Sequence, residues 1–183
     1  MRVINKNYHF KESGEYIVAV EYTIRKAREE DLRPINEIYN WAVLNTVATF
    51  DLEERPYEIA KEWFALHQDP YYPVYVLEHQ GKVTGWGSLS PFHPRPAYKQ
   101  SGEFSIYIDP EWTGKSMGNA MLKVLCQAAK ELGYHTLLGL ITATNYPSIS
   151  LARKHGFKEV GRYYEVGKKF GQYLDVVVMQ LIF

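Results

Sequence analysis

The residues best suited to chemistry lie in one run, Glu103 to Gly118: Glu-Phe-Ser-Ile-Tyr-Ile-Asp-Pro-Glu-Trp-Thr-Gly-Lys-Ser-Met-Gly. A carboxylate opens it. A turn carrying Gly114, Ser116 and Gly118 closes it, ahead of an apolar stripe of Met117, Met121, Val124, Leu125, Ala128 and Leu132 at helical spacing. The first turn of a helix leaves backbone N–H groups without partners and carries partial positive charge, so phosphate or pyrophosphate is the ligand such a turn suits. Ile106-Tyr107-Ile108 has the β-branched and aromatic character of a strand, and Asp109-Pro110 ends it because proline has no N–H to give a ladder. Gly114-Lys115-Ser116 is not a nucleotide P-loop: that motif needs a glycine where Asp109 stands. On spacing alone the run is equally an ordinary strand-to-helix connection, its glycines serving only the turn.

The elements that must position this run follow from periodicity. Residues 1–14 have no clear period and read as an N-terminal tail or arm, leaving one domain over 15–183. A strand is expected over Tyr16–Arg25, with Val18, Val20, Tyr22 and Ile24 on one face. Glu29, Glu30 and Asp31 place negative charge at the head of a helix running to about Leu44, with Leu32, Ile35, Ile38, Tyr39 and Ala42 inward. A second helix spans about Pro56–Gln68 with Ile59, Trp63 and Phe64 as its stripe. Strands Tyr72–His79 and Lys82–Leu89 meet at Gln80-Gly81, a hairpin signal. Ser90–Gln100, with three prolines, is a surface loop. After the long helix, which stops at Gly133, come a strand at Thr136–Thr142 and a short helix from Asn145 to Gly156. Strands at about Val160–Lys168 and Tyr173–Ile182 then turn at Phe170-Gly171.

Composition excludes several classes. Twenty-one basic residues balance twenty-one acidic ones, so the general basic excess of a nucleic-acid or membrane binder is missing. The single cysteine, Cys126, cannot form an intrachain disulfide and suits a reducing cytoplasm. No Cys/His spacing points to a metal, and no run reaches transmembrane length. A soluble intracellular protein is expected.

Thr113-Gly114-Lys115-Ser116-Met117-Gly118 resembles motif A of the GNAT acyltransferase superfamily, Gln/Arg-x-x-Gly-x-Gly/Ala at the head of a helix. It departs in Thr113, where Gln or Arg is usual, and in Ser116, where the first glycine stands. A second motif, Asn145-x-x-Ser148-x-x-Leu151 leading to Gly156-Phe157, is similar to another of that superfamily, and the order β-α-α-β-β-β-α-β-α-β-β is that of its fold. The resemblance implies an α+β architecture: a mixed, mostly antiparallel sheet of about seven strands flanked by about four helices. It also implies acetyl-CoA as co-substrate, no metal, and an amine as acceptor.

Three stretches further resemble the phosphinothricin acetyltransferase group, which acetylates the α-amine of an amino acid. They are Asn45-Thr46-Val47-Ala48-Thr49-Phe50; Arg95-Pro96-Ala97-Tyr98 with Glu103-x-Ser105-x-Tyr107; and Lys169-Phe170-Gly171-Gln172-Tyr173-Leu174-Asp175, with Tyr173 where Trp is usual. Acetyl transfer needs the amine deprotonated, the thioester oxygen stabilised and the reactants held together. Glu103 is the candidate base; the bland reading is a solvated strand-end glutamate. The resemblance assigns the pantetheine and thioester oxygen to the backbone of Ile106, Tyr107 and Ile108. It gives the pyrophosphate to Gly114, Lys115, Ser116, Met117, Gly118 and Asn119, and a cofactor hydrogen bond to Asn145. Arg95 and Tyr98 are candidates for the acceptor's anionic end, and Phe50, Tyr107 and Tyr173 for its pocket walls. The superfamily often has Tyr, or in this group His, at the position of Ala152, so no general acid is expected there. Aromatic residues in the hairpin Tyr163–Phe183 suggest a homodimer. The competing readings are acetylation of a protein N-terminus or another small amine, and a non-catalytic acyl-CoA-binding module.

Overall fold

The computed structural model describes residues 21–183 and, by backbone pairing, the two-residue strands Val3–Ile4, His9–Phe10 and Tyr16–Ile17. The main elements are β1 (Thr23–Lys26), α1 (Leu32–Asn45), α2 (Tyr57–Leu66), β2 (Val74–His79), β3 (Lys82–Pro91) and β4 (Ser101–Ile108). After them come α3 (Met117–Glu131), β5 (Thr136–Thr142), α4 (Tyr146–Lys154), β6 (Lys158–Lys169) and β7 (Gln172–Ile182). The sheet runs β1-β2-β3-β4-β5-β7-β6, and Val3–Ile4 adds an eighth, antiparallel strand outside β1. Among these pairs only β4–β5 is parallel. The expected mixed, mostly antiparallel sheet with four α-helices is therefore found.

The N-terminal strand is a correction. Of the expected Tyr16–Arg25 strand, Thr23–Lys26 joins the large sheet, whereas Tyr16–Ile17 pairs with His9–Phe10 in a separate ribbon. Val18 and Val20 lie outside the described residues, as does most of the 1–14 arm. The two later hairpins turn where expected. Gln80 and Gly81 take φ of 49° and 79°, Phe170 and Gly171 50° and 78°, the two successive positive values that a tight right-twisted hairpin requires.

Helices cover both faces of the sheet. On one face α3 buries Met117, Met121, Leu122 and Leu125 against Leu77, Leu89 and Leu137. The approach is close enough that a Cβ on Gly87 would lie 2.8 Å from Met121 and 3.0 Å from Leu125. On the other face α1 sets Ile35 and Ile38 against Val74, Val76, Val83 and Trp86, and α2 sets Ala60 and Phe64 against Leu32. Ile59, expected inward, is exposed; Ala60 takes the buried position because the helix is rotated to bring a small residue under α1. Because β3 alternates, Trp86, Ser88 and Ser90 look towards α1 and α2 while Gly87 and Leu89 look towards α3.

Candidate active site

Strand β4 is the axis of the site. It pairs with β3 from Gly85↔Ile108 to Pro91↔Gly102. With β5 it pairs only at Ser101, Gly102 and Glu103. Past Glu103 that ladder stops, while β5 goes on pairing with β7 as far as Thr142. The two parallel strands thus open into a fork, with the β5-facing backbone of Ile106, Tyr107 and Ile108 outside the β4–β5 ladder. The Phe104 ring stands over Gly139, where a Cβ would approach it to 2.6 Å, and packs edge-on against Phe157.

The head of α3 continues from β4 through the Pro110–Trp112 turn. Gly114 and Ser116 have φ of 75° and 61°. A side-chain-bearing residue in this left-handed region costs on the order of 1 kcal/mol, which Ser116 carries where the motif usually has glycine. No side chain caps the helix; the N–H of Ala120 bonds to the Ser116 carbonyl at 3.3 Å, leaving the N–H groups of Met117, Gly118 and Asn119 to an outside acceptor. Met117 contributes backbone alone, since its side chain is in the core. Lys115 Nζ donates to the Glu111 carbonyl at 3.0 Å and lies over Trp112, and Asn119 Oδ1 pairs with His155 Nε2 at 3.1 Å. A Cβ on Gly118 would meet only Leu151, at 3.4 Å. Asn145 caps α4, its Oδ1 accepting from the Ser148 N–H at 3.3 Å.

On the α1–α2 face, Glu103, Ser105 and Tyr107 alternate outwards from β4 and face Ser90, Ser88 and Trp86 across the ladder. Ser88, Ser90, Ser105 and the two rings floor a cleft of about 290 Å³. Tyr39, Asp51, Arg55, Ile59 and Trp63 wall it. Tyr39 Oη donates to Asp51 at 2.6 Å; burial, then that bond, raises the phenol to about 12. His67 Nδ1 faces the Trp63 carbonyl at 2.8 Å and Nε2 faces Ser90 Oγ at 3.1 Å. Since a carbonyl only accepts, Nδ1 holds the proton and Nε2 accepts from the serine; burial lowers the ring's pKa and keeps it neutral. Glu103 is half-buried, without a hydrogen-bond or ion-pair partner among the described residues, and burial alone pushes its carboxyl above the usual range.

A fork between parallel strands, a helix head with free N–H groups and a family model matching residues 24–178, the acetyltransferase (GNAT) domain, agree with one another. The chain belongs to the GNAT family. It is similar to the L-amino acid N-acyltransferase MnaT of Escherichia coli, at 35% identity over 87% of this chain and 92% of that protein. It also resembles the crystal structure of a phosphinothricin acetyltransferase from Sinorhizobium meliloti in complex with acetyl-CoA. There the TM-score is 0.85 and the identity 35%, over 88% of each chain. A ribosomal-protein-alanine N-acetyltransferase from Brucella melitensis matches with TM-score 0.85 and 38% identity over 87% of this chain and 99% of that one. The protein is an acetyl-CoA-dependent N-acetyltransferase.

The GNAT frame shows which expected site residues meet. Tyr107 lines the cleft. Glu103 stands on the same face of β4, opposite the cleft residue Ser90, but is not itself a lining residue; Ile106–Ile108 border the fork. Phe50 instead packs on Gly167, whose Cβ would overlap its ring. Arg95 and Tyr98 stand on an exposed turn, Tyr98 against Phe92 and His93, and Tyr173 is exposed with Lys168 over its ring. None of these four lines the cleft. Arg55, Asp51, Trp63, Trp86 and the three serines line it without being assigned to the site from sequence, where Trp63 reads as a core stripe residue and Ser105 only as part of a motif. One linear signal was present: Ser88 and Ser90 recur at period two in the strand, and Ser88 is buried, a polar position that needs a purpose.

Proposed function

We propose that this GNAT enzyme transfers the acetyl group to the α-amine of a small amino acid. The carrying observation is Glu103, an unpaired, desolvated carboxylate on the face of β4 that floors a cleft beside the fork. A volume of about 290 Å³ suits a small molecule at the lower end of ligand sites. The amino-acid substrates named for the Escherichia coli and Sinorhizobium relatives support the same class.

Acetyl-CoA supplies the acetyl group; the residues present fit it. The N–H groups of Met117, Gly118 and Asn119, with the turn from Gly114 to Ser116, hold the pyrophosphate. The open edge of Ile106–Ile108 receives the pantetheine amides and directs a donor at the thioester oxygen. Asn145, across the fork, adds a hydrogen bond. Glu103, directly or through a water, takes a proton from the ammonium, freeing the nitrogen lone pair; the N–C bond forms as C–S breaks, and the nitrogen's second proton passes to the departing thiolate or to solvent. Ala152 is fully buried and carries no proton, so the thiolate leaves without an acid from that position. Arg95 and Tyr98 are assigned to the outer, anionic end of a longer acceptor side chain, and Phe50 and Tyr173 to the rim.

The enzyme is further proposed to be a cytoplasmic homodimer. Cys126 has its thiol raised by burial to about 11, which suits a structural residue in a reducing compartment. The outer strand β6 and its hairpin expose Val160, Tyr163, Tyr164, Val166 and Phe170, more apolar surface than a free edge usually shows. A monomer mass by sedimentation at micromolar concentration would overturn the dimer.

The Brucella neighbour favours a second reading, acetylation of a protein N-terminus. Release of CoA thiol, with mass identification of the product, separates the two when α-amino acids, their decarboxylated amines and a peptide with N-terminal alanine are compared. Fast turnover of free amino acids supports the reading. A peptide preferred over every amino acid would replace it.

A further inference from the structure

Arg55 precedes α2 and is half-buried in the wall of the cleft. Two asparagines of α1 fix it. Its N–H donates to Asn40 Oδ1 at 2.8 Å, and its carbonyl accepts from Asn36 Nδ2 at 3.0 Å and Asn40 Nδ2 at 3.1 Å. Its Nε donates to Asn36 Oδ1 at 2.8 Å. The guanidinium carbon lies 4.5 Å from the Tyr39 ring centroid and 4.8 Å from that of Trp63. Rings that take up guanidinium faces leave its N–H edges to do the hydrogen bonding.

That edge is incomplete. Nη2 is buried with no hydrogen-bond partner, and Arg55 has no ion pair among the described residues. The nearby acid, Asp51, accepts from Tyr39 instead. A buried, unsatisfied donor on a charged group is more costly than an ordinary missing bond, so its persistence in a cleft wall asks for an acceptor from outside.

The chemistry of an α-amino acid supplies one. Its amine and carboxylate sit on the same carbon, so the group that reads the carboxylate must stand over the same face of β4 as the base, Glu103, which pairs across the ladder with the cleft residue Ser90. Arg55 lines the cleft; Arg95 does not. We propose that Arg55 is the specificity residue that binds the acceptor's α-carboxylate, presenting a guanidinium already locked by Asn36, Tyr39 and Trp63. This rests on the amino-acid reading above. Arg95 is left to a second anion further along the acceptor's side chain.

The test uses L-methionine, its carboxamide and its decarboxylated amine on wild type, Arg55→Met and Arg55→Lys, with acetyl-CoA binding by calorimetry as the control for folding. Wild type should favour the acid by kcat/KM. Arg55→Met should cut that preference by about 30-fold or more, as expected when one partner of a buried charge pair is removed. Arg55→Lys should restore part of it. An equal loss on all three acceptors in Arg55→Met would show a structural role only, and an unchanged preference would remove Arg55 from recognition; either overturns the proposal. If wild type turns over the amide and amine as well as the acid, the amino-acid reading fails and the proposal falls with it.

Discussion

The two sides of β4 are built in different ways. On the co-substrate side, the fork and the head of α3 come from one continuous stretch, residues 101–142, so donors, turn and helix are neighbours in sequence. On the acceptor side, the cleft draws Tyr39 from α1, Asp51 and Arg55 from the connection, Trp63 from α2, Ser88 and Ser90 from β3, and Ser105 and Tyr107 from β4. Binding a phosphate group needs backbone N–H groups in a given conformation, which a short segment can encode. Reading an acceptor needs particular side chains at a particular spacing, which only packing can assemble. One side is written into a short stretch of chain, the other is assembled by packing.

The largest effect expected from breaking the first side is that of Gly118→Asp. Only Leu151 lies within 4 Å of the added Cβ, so the fold should accept the change, but a carboxylate would stand among the N–H groups meant for pyrophosphate. Acetyl-CoA affinity by calorimetry should fall on the order of 100-fold, the scale of a like-charge clash. Unchanged affinity in a folded variant would detach the cradle from α3.

Breaking the second side should spare the first. Lys169 is 3% exposed, and its ammonium donates to the Thr49 carbonyl at 2.8 Å, holding the connection that carries Phe50 and Asp51. Lys169→Met loses a charge-assisted bond and should lower stability by about 1–3 kcal/mol in chemical denaturation. KM for the acceptor should rise, with acetyl-CoA affinity kept. Equal losses of both would mean that the two sides are not separable.

A smaller effect concerns the stability that Glu103 gives up. Its folded pKa is raised, so the native state binds the proton more tightly than the unfolded chain does. The protonated form's contribution is fully present below the ordinary value near 4.5 and is lost as pH rises through the folded value. Glu103→Gln should therefore melt above wild type at pH 7, the gap closing in acid. A lower melting temperature at pH 7 would mean that the carboxylate has a stabilising partner.

The sequence was most readable where local rules suffice. The Gln80-Gly81 and Phe170-Gly171 turns, the Asn145 cap and the start of α3 all follow from residues adjacent in the chain. Ile59 misled because an amphipathic stripe fixes a helix's apolar side only to within about one position, and contact with Leu32 chose Ala60. Arg95 stood out because it lies in a family-like loop, while Arg55 lies between two glutamates and a proline and looks like a surface charge. Its burial comes from Asn36 and Tyr39, sixteen or more residues earlier, and from Trp63 after it. No linear pattern marks that.

The most direct test of the whole account is the pH profile of kcat for an α-amino acid, at saturating acetyl-CoA, in wild type and Glu103→Gln. An ionised Glu103 is required to take the proton, so the wild-type rate should fall in acid as pH drops through its raised pKa. In Glu103→Gln, kcat should be lower by about 100-fold or more, and that acid limb should vanish, while acetyl-CoA affinity is retained. The same kcat and the same acid limb in both proteins would contradict the account, because Glu103 would then handle no proton.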